Sequence, residues 1–136
     1  MITRRALFES ASGLLLLARQ ASAQTSNTRG VIFQHDLPPV NLDGWSVTAV
    51  EVSYGPGEQS AAHSHPGITI AYVLEGEIRS QVGDEPERTY TVGQMFFENP
   101  GQLHAVSRNA SATRPAKLLA VLLAEKGKPL TTPAVK

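Results

Sequence analysis

Gly57-Glu58-Gln59-Ser60-Ala61-Ala62-His63-Ser64-His65-Pro66-Gly67 decides the reading of this chain. The stretch begins in the turn Tyr54-Gly55-Pro56-Gly57-Glu58 and ends on Pro66-Gly67, so Ser60–His65 between them reads as a short strand. Side chains alternate across a strand, and His63 and His65, two apart, therefore project to the same side. Two imidazoles converge in this way without a helix. His104 follows a second tight turn, Asn99-Pro100-Gly101, at the start of another predicted strand. Three imidazoles meeting inside a small barrel would hold one divalent transition metal ion, Fe, Mn, Ni, Cu or Zn, since such borderline ions prefer nitrogen to bulk water. The competing reading leaves the three as structural histidines, hydrogen-bonded in a polar pocket.

On either side of this stretch, short apolar runs rich in β-branched residues alternate with turns of Gly, Pro, Asn and Asp. The predicted strands are Ser46–Tyr54, Ser60–His65, Ile68–Leu74 (Ile68, Ile70, Tyr72 and Leu74 on one face), Glu77–Val82, Arg88–Val92, Met95–Glu98 and Leu103–Ser107. Lys117–Glu125 is rich in Leu and Ala, which favour helix locally, yet its neighbours make it a closing strand. The result is an all-β chain forming a small antiparallel barrel over residues 45–125. Residues 24–44, polar and broken by Pro38-Pro39, read as an N-terminal arm, and 126–136 as a C-terminal tail that wraps the surface or frays.

The chain's 136 residues suffice for one domain. Twelve basic residues balance twelve acidic ones with no Lys or Arg stripe, which argues against nucleic acid as a partner. Cysteine is absent, so disulfides, thiolate metal sites and cysteine nucleophiles are excluded and any chemistry falls to His, carboxylates and hydroxyls. Arg4 and Arg5 precede an apolar stretch, Ala11–Ala18, that ends near Ala21-Ser22-Ala23, which reads as an export signal over residues 1–23 with the mature chain starting near Gln24. The stretch is too short for a comfortable permanent membrane anchor. Thr3-Arg4-Arg5-Ala6-Leu7-Phe8 resembles a twin-arginine signal; an ordinary secretion signal with two chance arginines is the alternative. Either way a periplasmic or secreted bacterial protein is expected. Cleavage removes Arg4, Arg5, Arg19 and Glu9, leaving nine basic against eleven acidic residues, a charge of about −2.

The histidine stretch, with Gly76 closing the next strand, resembles the first motif of the cupin family, and Gly93, Pro100, Gly101 and His104 resemble the second. The resemblance covers Ser46 to about Glu125 and implies a double-stranded β-helix, or jelly roll, with His63, His65 and His104 as metal ligands. Two departures stand out. The first motif normally places a Glu where this chain has Thr69, and in the second the residue four after the last His is Arg108, with Asn109 one place late. A three-histidine site is similar to that of cupin dioxygenases, whose open metal positions admit substrate and oxygen. The resemblance thus implies a metal-dependent enzyme, oxygenase-like, on a small organic molecule. Relatives also include lyases, isomerases, and sensor or carbohydrate-binding proteins without catalysis. Candidate catalytic residues are Thr69, to hold a metal-bound water, and Tyr72 or Glu98, as proton donor or acceptor; Glu98 is otherwise a rim charge. Tyr72 lies at an odd offset from Thr69 and should face the opposite side of the strand. His35 reads as a solvated surface residue. Barrels of this class often pair through edge strands, so a homodimer is expected.

Overall fold

In the computed structural model, residues 30–135 are described. The export-signal reading of 1–23 lies outside them. Nine strands form two antiparallel sheets: β1 (Trp45–Tyr54), β2 (His63–Ser64), β3 (Ile68–Glu75), β4 (Glu77–Val82), β5 (Arg88–Thr91), β6 (Met95–Glu98), β7 (Leu103–Asn109), β8 (Ala116–Glu125) and β9 (Thr132–Pro133). One sheet runs β1-β8-β3-β6 and the other β5-β4-β7-β2-β9. No helix is present among the described residues.

The Leu- and Ala-rich run is a strand because it is paired on both sides. β8 matches β1 from Trp45↔Glu125 to Tyr54↔Ala116, and β3 from Ile68↔Leu123 to Val73↔Leu118. Two ladders of backbone hydrogen bonds outweigh a local preference of a few tenths of a kcal/mol per residue. Leu118, Ala120, Leu122 and Ala124 turn inward and are buried. Leu118, Ala120 and Leu122 join Val73, Ile78 and Phe96 in the core. Ile78, with no exposed surface, contributes roughly 1.5–3 kcal/mol by burial.

Three segments differ from expectation. β2 shrinks to His63–Ser64, because the chain before it pairs only in passing, through Ser60 N to the Ser107 carbonyl at 2.9 Å and a lone Gln59↔Arg108 bridge. The tail contributes a further strand: β9 adds to the edge of β2, with His63↔Pro133 in register and the Ala134 amide donating to the Ala62 carbonyl at 3.1 Å. β7 carries a bulge, since Gln81 pairs with Val106 but Val82 with His104, leaving Ala105 as the extra residue.

Gly67 lets β3 start close to β8. A Cβ on it would lie 2.0 Å from the Leu123 carbonyl oxygen, backbone that cannot swing aside. Gly67→Ala is therefore expected to destabilise the fold by about 1–3 kcal/mol, as overpacking does. The midpoint of urea unfolding would show it, and an unchanged midpoint would mean that β8 is not held this close.

Candidate metal centre

β2 and β7 carry His63 and His104, and His65 directly follows β2. His63 pairs directly with His104 across these strands, and His65 follows His63 by the strand period of two. One nitrogen from each of His63, His65 and His104 lies within 4.8 Å of the others, so the three can hold one ion. Their hydrogen bonds fix which nitrogens face inward. His63 Nδ1 donates to the Ala61 carbonyl and His65 Nδ1 to the Leu130 carbonyl, both at 2.7 Å. A carbonyl only accepts, so each neutral ring carries its proton on Nδ1 and presents the Nε2 lone pair. The Ser80 hydroxyl lies 2.8 Å from His104 Nε2 and can accept from it, the arrangement that leaves a lone pair on Nδ1. Burial holds the His63 pKa below its usual value, against the opposing pull of the Ala61 hydrogen bond. That favours the neutral ring that metals require.

Glu98 enters from β6. Its Oε2 lies 3.3 Å from His104 Nδ1 and 3.8 Å from His65 Nε2, and the residue is 2% exposed. Neither Glu98 Oε2 nor His104 Nδ1 has a hydrogen-bond partner. Buried polar atoms are normally satisfied, and a buried carboxylate is costly without a cation beside it. Two adjacent orphans, both acceptors when His104 carries its proton on Nε2, are what a divalent ion between them would satisfy. The donor set of imidazole nitrogen and one carboxylate oxygen suits Fe, Mn, Ni, Cu or Zn.

Thr69 and Tyr72 fare differently. Thr69 is buried, pairs with Glu98 across β3 and β6, and also leaves its hydroxyl without a partner. Ala71 faces the cavity beside the histidines, so Tyr72, one residue on, faces the other side of β3, as its odd offset from Thr69 implies, and is not among the residues lining that cavity. His35 is exposed, and its ring stacks on Phe97 at 3.9 Å.

The sequence profile of the cupin domain family matches residues 50–122, more than half of the chain. The chain belongs to the cupin family. Among curated proteins, germin-like protein subfamily 2 member 2 of Arabidopsis thaliana is 30% identical over 83 residues, covering 57% of this cupin and 37% of that protein. This cupin therefore spans well under half the length of that relative. Among solved structures, a conserved protein with a double-stranded β-helix domain from Klebsiella pneumoniae has a TM-score of 0.56 at 24% identity, covering 66% of this chain and 76% of that one. DMSP lyase DddQ from Ruegeria pomeroyi has a TM-score of 0.58 at 24% identity over 65% of this chain and 43% of that one. At identities this low the structural likeness shows the double-stranded β-helix fold alone.

The bulge at Ala105 explains the displaced asparagine of the second motif. One extra residue separates His104 from Asn109, whose buried side chain donates to the Gly55 and Arg114 carbonyls at 2.9 and 2.6 Å and accepts from the Ser111 amide at 2.9 Å. The bulge also turns both His104 and Ser107, three apart, into the same cavity. That cavity, about 590 Å³, lies between the sheets and has His63, His65, His104 and Glu98 in its wall. Its size suits a small organic molecule.

Several contributors escaped the sequence reading. Ser80 resembles any strand serine until β4 is registered against β7. Leu130 acts through its carbonyl, which no side-chain pattern reveals. Removing residues 130–136 is accordingly expected to weaken divalent-ion binding roughly 10- to 100-fold, the usual effect of losing an outer hydrogen-bond partner. Calorimetric titration with zinc would measure it; unchanged affinity would show that the Leu130 carbonyl does not orient His65.

Proposed function

We propose that this cupin is a metal-dependent enzyme outside the cytoplasm that acts on a small organic molecule, with oxygenase-type chemistry the leading reading. The observation that carries it is the pair of buried, unpartnered acceptors, Glu98 Oε2 and His104 Nδ1, 3.3 Å apart beside two further imidazoles in the wall of a cavity. His63, His65 and His104 supply three nitrogen ligands, and Glu98 a carboxylate from the residue facing Thr69. The carboxylate that the motif expects on β3 is thus replaced from β6, its partner in the ladder. A bound ion would supply Lewis acidity and, if iron, electron exchange with oxygen. Protein ligands would come from both sheets, the histidines from β2, its following residue and β7, and Glu98 from β6, all in the cavity wall, so that substrate would reach the ion from the cavity. The apolar walls exclude bulk water and strengthen every polar contact within. The unpartnered Thr69 hydroxyl beside Glu98 is available to steady that carboxylate or a bound water. The resemblance of residues 1–23 to an export signal supports the location.

Metal analysis of protein purified from its native compartment, followed by oxygen consumption against a panel of small organic substrates, tests this reading. Tightly bound iron with substrate-dependent oxygen uptake is the expected result. Zinc or manganese without uptake would move the chemistry to a lyase or isomerase. Protein that binds no metal would end the enzyme reading.

A further inference from the structure

Away from the histidines, the cavity wall carries a cluster of three hydroxyls. Tyr54 Oη lies 2.7 Å from Ser60 Oγ and 2.9 Å from Ser107 Oγ, and all three residues line the cavity. Tyr54 and Ser107 are 6% and 5% exposed. Each hydroxyl has one proton to donate and two lone pairs. Three hydroxyls joined by two hydrogen bonds use two protons, so one O–H is left over, whichever way the chain is oriented. Among the described residues none of the three bonds to any other side chain or carbonyl. Ser60 is half-buried and the other two are buried, and all three line the cavity, so the spare O–H is available to an acceptor on a molecule bound there.

Apart from Thr131, whose hydroxyl lies 3.4 Å from His65 Nδ1, the rest of the wall is apolar, built from residues such as Val50, Val52, Phe96, Leu118, Ala120 and Leu122, and among the described residues no Lys, Arg or Asp lines it. Glu98 is its one ionisable carboxylate. Three neutral imidazoles and this carboxylate around a divalent ion leave a net charge of +1, enough to balance one anionic oxygen at the metal and nothing beyond it. Ser107 lies three residues along β7 from His104, roughly 7–10 Å of strand allowing for the bulge.

From these features, and resting on the metal-centre reading above, we propose the substrate class of this site. It is an uncharged, mainly hydrocarbon molecule, aromatic or alicyclic, with one ionisable oxygen (phenol or enol) that binds the metal. At its far end a carbonyl or ether oxygen accepts the spare proton of the Tyr54–Ser60–Ser107 cluster. A molecule with a second charge has nothing in the wall to receive it. Small dianions and sugar phosphates are therefore poor ligands.

The full chain loaded with cobalt(II), whose visible absorption reports ligand binding, would be titrated with phenol, 4-hydroxyacetophenone and 4-hydroxybenzenesulfonate. All three coordinate through a phenol oxygen, with affinities compared after allowing for each phenol's own acidity, and they differ at the far end: hydrogen, a neutral acceptor, or a permanent charge that is a poor metal ligand. The sulfonate is expected to bind at least tenfold more weakly than the ketone. The second arm is Tyr54→Phe/Ser60→Ala/Ser107→Ala, since any hydroxyl left behind would still carry a spare proton. This variant should lose about three- to tenfold in ketone affinity, the span of one neutral hydrogen bond, with phenol affinity within twofold. Equal or tighter sulfonate binding overturns the class whether or not the variant folds. So does an equal loss for phenol and ketone, a variant that binds the ketone as well as the unmodified chain, or no binding of any probe to a cobalt-loaded chain. Failure of the unmodified chain to take up cobalt would instead remove the metal centre, and the class with it.

Discussion

Replacing His104 by alanine is expected to lower divalent-ion affinity by at least about 100-fold, beyond the 10- to 100-fold typical of losing an outer-shell partner. His104 sits opposite His63 in the β2–β7 ladder and 3.3 Å from Glu98, so its loss removes one ligand and the group nearest the carboxylate. The effect should also appear in stability. An ion at 100 times its dissociation constant adds about 2.7 kcal/mol to a protein that binds it only when folded. The unmodified chain should therefore unfold at a higher temperature when zinc is added, and the variant should barely respond. Calorimetric titration and thermal unfolding, each with and without zinc, read the two effects separately. A variant that takes up zinc as tightly as the parent would remove His104 from the centre and return it to a structural role.

Glu98→Gln should split two properties that usually move together. Without metal, the variant is expected to be more stable by about 1–3 kcal/mol, because a buried carboxylate with no fixed cation is exchanged for a neutral amide. With metal the order should reverse, since the anionic ligand is gone. The register adds a stricter test. Thr69 and Glu98 face each other across β3 and β6, so the double exchange Thr69→Glu/Glu98→Thr moves the carboxylate to the opposite strand of the same pair. Zinc affinity lost in Glu98→Gln should largely return in the exchange. If Glu98→Gln binds zinc like the parent, the carboxylate is no ligand; if the exchange fails while the fold survives, position on β6 rather than charge is what matters.

These two residues also mark how far the sequence reaches. His63 and His65 were legible because the strand period alone brings them together, and the turns at Pro66-Gly67 and Pro100-Gly101 delimit the strands that carry them. Tyr72 could be set apart from Thr69 by parity before any coordinates. What sequence could not supply was register between strands distant in the chain. Thr69 looked like a missing ligand, and only its pairing with Glu98, 29 residues later, places a carboxylate in the same neighbourhood. The late asparagine was visible as an irregularity, but its cause, the extra Ala105 in β7, depends on what β4 does alongside. The run Lys117–Glu125 was ambiguous locally and became a strand through its two neighbours. Ser80 and the Leu130 carbonyl belong to the same group: their effect comes from position, and their residue types carry no signal.

The strand formed by Thr132–Pro133 sets an order of events. The carbonyl that receives the His65 proton belongs to Leu130, 65 residues downstream, and closing a loop of that length comes late in folding. While the chain is being made, β2 and the adjoining His65 emerge before that carbonyl does, with His65 free to turn. A chain shortened before Leu130 would keep β1 to β8 and still lack the carbonyl that orients His65. On the proposed reading, a firmly held ion thus depends on the segment around residue 130 folding back over His65.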